Sequence, residues 1–177
     1  MKNIKIISVF IIFLLAVGSH FMYDIIPTFI TSILFPVNES IWEHMKLLVT
    51  PIFIFSVLEY FIYKYKSINY NNFILSYFIS IILGIILYLL IYLPINSLFG
   101  YNTIFAISLL FVIYIFIEYI SYYIMNMNMN VNKYNKILGI IGIICIYFIF
   151  YYFTYYTPDN KIFYDTTNNG YGIIKRP

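Results

Sequence analysis

Apolar residues fill five long runs of this chain, separated by short stretches where lysine, asparagine or proline gather. The runs predict helices over about residues 4–23, 40–63, 73–92, 103–124 and 137–157. Each has close to the ~20 apolar residues that a helix needs to cross a bilayer. Pro51 falls inside the second run and predicts a kink there. Pro94 is expected to end the third run and Pro158 the fifth. The pattern predicts an all-α membrane protein, with a transmembrane bundle over 1–157 and a tail over 158–177.

Two segments break the pattern. Met1–Lys5 is basic and Ile6–Val17 apolar, with small residues at Ala16-Val17-Gly18-Ser19, as in a cleavable signal peptide. The apolar run continues through Phe21, Met22 and Tyr23, which favours an uncleaved first helix. Asp24–Val37 is too short to cross and is bracketed by Pro27 and Pro36, so a re-entrant or interfacial segment is expected. In the tail, Asn169-Gly170 between Ile162–Tyr164 and Tyr171–Ile174 signals a small hairpin. Asp165–Gly170 also resembles the first half of a calcium loop, but Arg176 stands where the closing acidic residue belongs. A hairpin capping the bundle is the better reading.

Composition reinforces the membrane assignment. Of 177 residues, 63% are hydrophobic and only 10% charged, and the mean hydropathy is +0.88. Ordinary globular domains are about 45–50% apolar and ~25% charged. A net charge of +3 without a Lys/Arg cluster excludes nucleic acid as a partner and leaves membrane lipids; protein partners are not specified. The lone Cys145 excludes an internal disulfide and reads as a core or lipid-facing residue. Heavy use of Ile, Asn, Tyr and Lys fits an AT-rich bacterial genome.

Lysines also orient the chain. Lys2 and Lys5, Lys64 and Lys66, and Lys133 and Lys136 mark one side, whereas the loops 23–40 and 93–102 carry no Lys or Arg. The positive-inside rule then puts the N-terminus in the cytoplasm of a bacterial plasma membrane and the C-terminus outside. Lys161, Lys175 and Arg176 in the tail depart from this pattern. Tyr151, Tyr152, Tyr155 and Tyr156 suit an aromatic belt at the headgroups.

Candidate chemistry concentrates between His20 and Lys46. His20 and Asp24 lie four apart, as do Glu39 and Glu43, and Ser40 and His44, so each pair shares a helix face if its helix is continuous. His20, Asp24 and His44 are candidate ligands for a divalent metal such as Zn, Mn or Fe, and Glu43 or Glu39 a candidate general base. Capping offers a competing account. Ser40-Ile41-Trp42-Glu43 reads as a capping box, Asn38 is an alternative cap, Glu43 can pair with Lys46, and Trp42 suits the interface. Capping leaves His20, Asp24 and His44 unexplained.

A second signal lies in the apolar runs, where Glu59 and Glu118 fall at comparable depth. Intramembrane carboxylates usually face the bundle interior and pair. These two could share a proton, or bond Ser56, Ser121 and nearby tyrosines as glue between helices. No nucleophile elbow, P-loop, dinucleotide fingerprint or HExxH motif occurs.

Pro36-Val37-Asn38-Glu39-Ser40-Ile41-Trp42-Glu43-His44-Met45-Lys46 resembles the signature of an uncharacterised bacterial integral-membrane family, a domain of unknown function. His20, Asp24 and the tail's Asp165 and Gly170–Ile173 also match that pattern, and the resemblance extends over nearly the whole chain. It implies fold and focus but no activity. The leading expectation is a membrane-embedded, metal-dependent hydrolase acting on a lipid or envelope substrate at the outer face. A small proton-coupled transporter using Glu59 and Glu118, and a structural membrane subunit, are the alternatives.

Overall fold

The computed structural model describes residues 1–100, 102–127 and 133–173. Five long helices, α1 (Lys2–His20), α4 (Ile41–Tyr65), α5 (Phe73–Phe99), α6 (Thr103–Asn126) and α7 (Lys133–Tyr155), are long and apolar enough to span a membrane. Between α1 and α4 lie two short helices, α2 (Met22–Ile25) and α3 (Phe29–Leu34). After α7 the tail forms a hairpin of β1 (Tyr164–Asp165) and β2 (Gly170–Tyr171). The Asn/Met linker at 128–132 and the tail's Lys175 and Arg176 lie outside the described residues.

The helix bounds differ from the sequence pattern in instructive places. α1 stops at His20 because Phe21 bonds back to Gly18 in a tighter turn, so His20 and Asp24 do not share one continuous helix. α5 runs through Pro94 to Phe99 and ends only at Gly100, whose φ is +76°. A proline removes one N–H, whereas ending the helix in hydrocarbon would strand several backbone groups, so the helix persists. α4 likewise continues through Pro51. Pro51 leaves the Leu47 carbonyl without its helical donor, and the Tyr114 hydroxyl of α6 supplies one at 2.6 Å.

The interfacial segment is held by similar accounting. Thr28 and Thr31 cap α3 reciprocally. At its other end the Ser32 carbonyl accepts from Lys46 Nζ at 2.7 Å and the Leu34 carbonyl from Thr50 Oγ1. A six-residue helix too short to cross is thus sealed onto α4 with its carbonyls satisfied.

α1 packs against α4 and α6, α5 against α6 and α7, and α3 against α7. α7 approaches α5 at Gly139, where a Cβ would stand 2.8 Å from the Leu75 backbone nitrogen. Ile12, Leu48, Ile52, Ile113 and Ile117 are fully enclosed, while Phe10, Leu14, Leu90, Ile104 and Phe148 face outward, as lipid contact requires. Cys145 is exposed on α7.

The hairpin turns earlier than Asn169-Gly170 alone indicates. Asp165 pairs with Gly170 across a loop of residues 166–169, and Asn169 adopts φ +54°. The Asp165 carboxylate captures the Thr167 and Asn168 N–H groups, so the reversal begins at Asp165 and Gly170 is drawn into the strand.

Candidate functional site

Phe35 leaves α3 in an extended conformation, and residues 37–40 bend into α4 at Ser40, whose hydroxyl accepts from the Glu43 N–H at 3.3 Å as an N-cap. The box is only half made, because the Ser40 N–H bonds Asn38 Oδ1 at 2.9 Å instead of Glu43. The Asn38 amide also donates to the Gly172 carbonyl, and the Glu39 N–H donates to Asp165 Oδ2 at 3.0 Å. The Trp42 backbone N–H donates to the Ile162 carbonyl, and the indole packs on Phe150, Phe153 and Phe163. The tail is therefore built into the mouth of α4.

This brace presents the Glu39 side chain to two imidazoles. His20 Nε2 lies 3.5 Å and His44 Nε2 3.4 Å from Glu39 Oε2, with the two rings 5.4 Å apart. One ligand atom from each residue can be chosen so that all lie within 4.8 Å of one another. His20, then His44, hold the Glu39 carboxyl well below the usual carboxylate range, against the opposing effect of burial. His44 Nδ1 lies 2.8 Å from the Ser40 carbonyl. A carbonyl only accepts, so Nδ1 carries hydrogen and, in the neutral ring, Nε2 offers its lone pair toward Glu39. His20 Nδ1 is enclosed without a hydrogen-bond partner among the described residues.

The other candidates separate from this cluster. Asp24 is exposed on α2 beyond the break at Phe21 and is not part of the three-residue group. Glu43 points into the protein, 2% exposed. Its Oε2 accepts from the Val37 N–H and Lys46, and its Oε1 from Thr154 of α7 at 2.8 Å. Both oxygens are occupied, so the role visible for Glu43 is tying residues 35–40, α4 and α7 together. Asp165, which opens the calcium-like stretch, spends its carboxylate on Glu39, Thr167 and Asn168.

Near the other end of the bundle Glu59 and Glu118 meet, with Lys5 between them. Lys5 Nζ lies 2.9 Å from Glu59 Oε2 and 3.0 Å from Glu118 Oε2. Tyr63 and Tyr77 donate to Glu59, and Ser8 lies beside Glu118. Ser56 and Ser121 bond backbone carbonyls of their own helices and not these carboxylates. Lys5 is 4% exposed, so it is an interior group and no longer counts toward orientation; among the described side chains, Lys2, Lys64, Lys66 and Lys136 are the exposed lysines of those segments. A signal for Lys5 was present, since Lys5, Ser8, Ile12, Ala16 and Ser19 form one helical stripe of α1. The roughly fifteen residues of α1 from Lys5 to His20 put some 22 Å between the two polar clusters.

A model for a family of unknown function, DUF6512, matches residues 1–173, so the chain belongs to that family. Neither a curated protein nor a solved structure matches it.

Proposed function

We propose that this DUF6512 member is a membrane-embedded, metal-dependent hydrolase in which His20, Glu39 and His44 hold one divalent cation at the outer face. The spacing of the three side chains carries the reading. At 3.4 and 3.5 Å the Nε2–Oε2 separations are too long for good hydrogen bonds. Ligands at zinc bond lengths of about 2.05 Å in tetrahedral array stand about 3.3 Å apart. A donor set of two imidazoles and one carboxylate suits zinc.

Two His and one Glu leave the fourth tetrahedral position for water, the arrangement of catalytic rather than structural zinc sites. A divalent cation held by His20, Glu39 and His44 would supply Lewis-acid activation of water for hydrolysis. The substrate class is a lipid or envelope component. Its support is an apolar groove of about 380 Å³ lined by Leu14, Leu15, Gly18, Met22, Phe35 and Ile54, adjoining the turn that carries His20. The lysine-poor loops on this side favour the outer face.

The test is metal content of the detergent-purified protein beside Glu39→Gln and His44→Ala variants, with thermal unfolding as the folding control. One equivalent of zinc in the parent, lost in folded variants, supports the reading, and zinc-dependent cleavage of vesicle lipids then completes it. Absence of metal from parent protein supplied with zinc overturns it. A proton-coupled transporter is the second reading, favoured by the buried Lys5–Glu59–Glu118 cluster. Proton flux in liposomes that survives metal removal and stops in Glu118→Gln would select it.

A further inference from the structure

The buried Lys5–Glu59–Glu118 centre is short of one positive charge. The ionisable groups facing it are Lys5 from α1, Glu59 and Tyr63 from α4, Tyr77 from α5 and Glu118 from α6, with Tyr122 near Tyr63. Phenols are neutral near pH 7, so one ammonium faces two carboxyl groups. With both ionised, the centre would carry a net negative charge inside the hydrocarbon layer, where each uncompensated charge is costly.

Hydrogen-bond inventory identifies which carboxyl relieves it. Glu59 is saturated with donors: Tyr63 O–H reaches Oε1 at 2.7 Å, while Lys5 Nζ, at 2.9 Å, and Tyr77 O–H reach Oε2. Each Glu59 oxygen thus already accepts a hydrogen bond, and no acceptor stands beside it for a hydrogen of its own. The three ammonium hydrogens of Lys5 are accounted for by Glu59, the Tyr77 oxygen at 2.9 Å and Glu118 Oε2 at 3.0 Å.

Glu118 is different. Its Oε1 is buried and has no partner among the described residues, although the side chain is only 2% exposed. Its Oε2 lies 2.8 Å from Ser8 Oγ, which also lies 2.7 Å from the Lys5 carbonyl oxygen. Ser8 has one hydroxyl hydrogen and two oxygens within reach, and the carbonyl has none to give. If the Ser8 hydrogen goes to the Lys5 carbonyl, the short Ser8–Glu118 contact needs a hydrogen from Glu118.

We infer that Glu118 is the proton-bearing member of a buried proton-binding site, with Lys5 and Glu59 as its fixed ion pair. A Glu118 hydroxyl on Oε2 donates to Ser8 Oγ, Ser8 donates to the Lys5 carbonyl, and the centre is neutral. The ligand of the site is a single proton. Its release leaves a carboxylate that is bonded to Lys5 on one oxygen and exposes a bare second oxygen to the bundle interior. The site is distinct from the His–Glu–His cluster and does not depend on its metal.

Infrared spectroscopy of the full-length protein in lipid reads this directly, because a buried carboxylic acid has a carbonyl stretch separate from that of a carboxylate. The expected parent spectrum contains one such acid band, absent from Glu118→Gln, which keeps the shape and neutrality of the protonated side chain. In Glu59→Gln, Glu118 must balance Lys5 and should lose the band; in Lys5→Met a second carboxylic acid should appear. If parent and Glu118→Gln have the same acid band, or if the band goes in Glu59→Gln while a Glu118 carboxylate is seen in the parent, the inference is overturned. Because removal of either carboxyl leaves the other to balance Lys5, the position of the parent band makes the assignment: it should shift in Ser8→Ala, which removes the partner of Glu118, and stay in Tyr63→Phe, which removes a donor to Glu59, and the reverse pattern overturns the inference.

Discussion

The backbone N–H of Glu39 donates to the carboxylate of Asp165 at 3.0 Å, across 126 residues of sequence. The bond joins the loop that carries the central carboxylate of the His–Glu–His cluster to the hairpin that closes the chain. Asn38, donating to the Gly172 carbonyl at 2.7 Å, makes the second tie between the same two pieces. Glu39 is thereby held by its backbone, and its side chain faces His20 and His44.

Removing this tie should act on both stability and the site. Asp165→Ala removes a buried carboxylate and leaves the part-buried N–H groups of Glu39, Thr167 and Asn168 without their acceptor. A lost buried partner costs about 1–3 kcal/mol. If Glu39 ligates a metal, loss of a group that orients it should weaken metal binding by roughly 10–100-fold. Thermal unfolding and competitive zinc titration of parent and variant measure the two effects. Full affinity in a destabilised variant would separate the hairpin from the site.

Acid should loosen the same junction. Burial, the largest single influence on Asp165, raises its pKa, but the Asn168 amide and the N–H groups of Glu39, Asn168 and Thr167 outweigh it and hold the carboxyl below its usual range. A depressed folded pKa means that the unfolded chain takes up this proton first. The stabilisation is therefore complete above the ordinary Asp pKa of ~3.9 and is lost as pH falls through the lower folded value. Glu39, also held low, contributes with the same sign. Melting temperature measured from neutrality down to acid should fall more steeply in the parent than in Asp165→Asn.

The two histidines should not be equivalent. His44 has its Nδ1 fixed by the Ser40 carbonyl, whereas His20 Nδ1 has no partner among the described residues. A hydrogen bond on the far nitrogen sets both tautomer and ring orientation for ligation. Zinc affinity should thus fall further in His44→Ala than in His20→Ala, by about tenfold. Equal losses, read by isothermal titration, would mean the Ser40 contact contributes nothing to binding.

Much of this architecture was legible in the chain. Five apolar runs, the interfacial segment between Pro27 and Pro36, the Ser40 cap and the Glu43–Lys46 pair all follow from local pattern, and the structure contains each. Long-range satisfaction of polar groups was not legible. The stripe of α1 signals that Lys5 is buried, but its partners, Glu59 and Glu118, are 54 and 113 positions away and nothing local identifies them. Asp24 reads as a partner of His20 only if α1 continues, and the turn at Phe21 interrupts it. Pro94 reads as a stop by rules drawn from water, where a broken helix can be hydrated.

Gly172 tests the tail's docking from the opposite side. Its φ is +63°, and a Cβ there would stand 2.8 Å from Thr157 Oγ1 and 3.2 Å from the Thr154 carbonyl oxygen. Gly172→Ala combines a left-handed backbone cost of about 1–2 kcal/mol with displacement of the Thr157 hydroxyl and a tight contact against the Thr154 carbonyl. The hairpin should detach before the bundle melts, seen as faster proteolysis within 158–173 at unchanged helix content.

Lys46 offers the most demanding test, because it is a fully enclosed cation between the interfacial segment and two spans. Its ammonium reaches the Ser32 carbonyl, Glu43 Oε2 and Thr154 Oγ1, and Thr154 in turn bonds Glu43 Oε1. Lys46→Met strands the Glu43 charge and should cost about 3–5 kcal/mol, as breaking a buried pair does. Glu43→Gln strands the Lys46 charge and also weakens the acceptor for the Val37 N–H, so it should cost a similar amount. The double variant removes both charges and should recover roughly 1–3 kcal/mol of the summed loss, a coupling that a mutant cycle on reversible unfolding reports. Additive losses would show that Glu43 and Lys46 stabilise the fold through separate neighbours. Zinc retained in folded Glu43→Gln would in addition place Glu43 outside the metal site, leaving Glu39 as its only carboxylate from this loop and helix start.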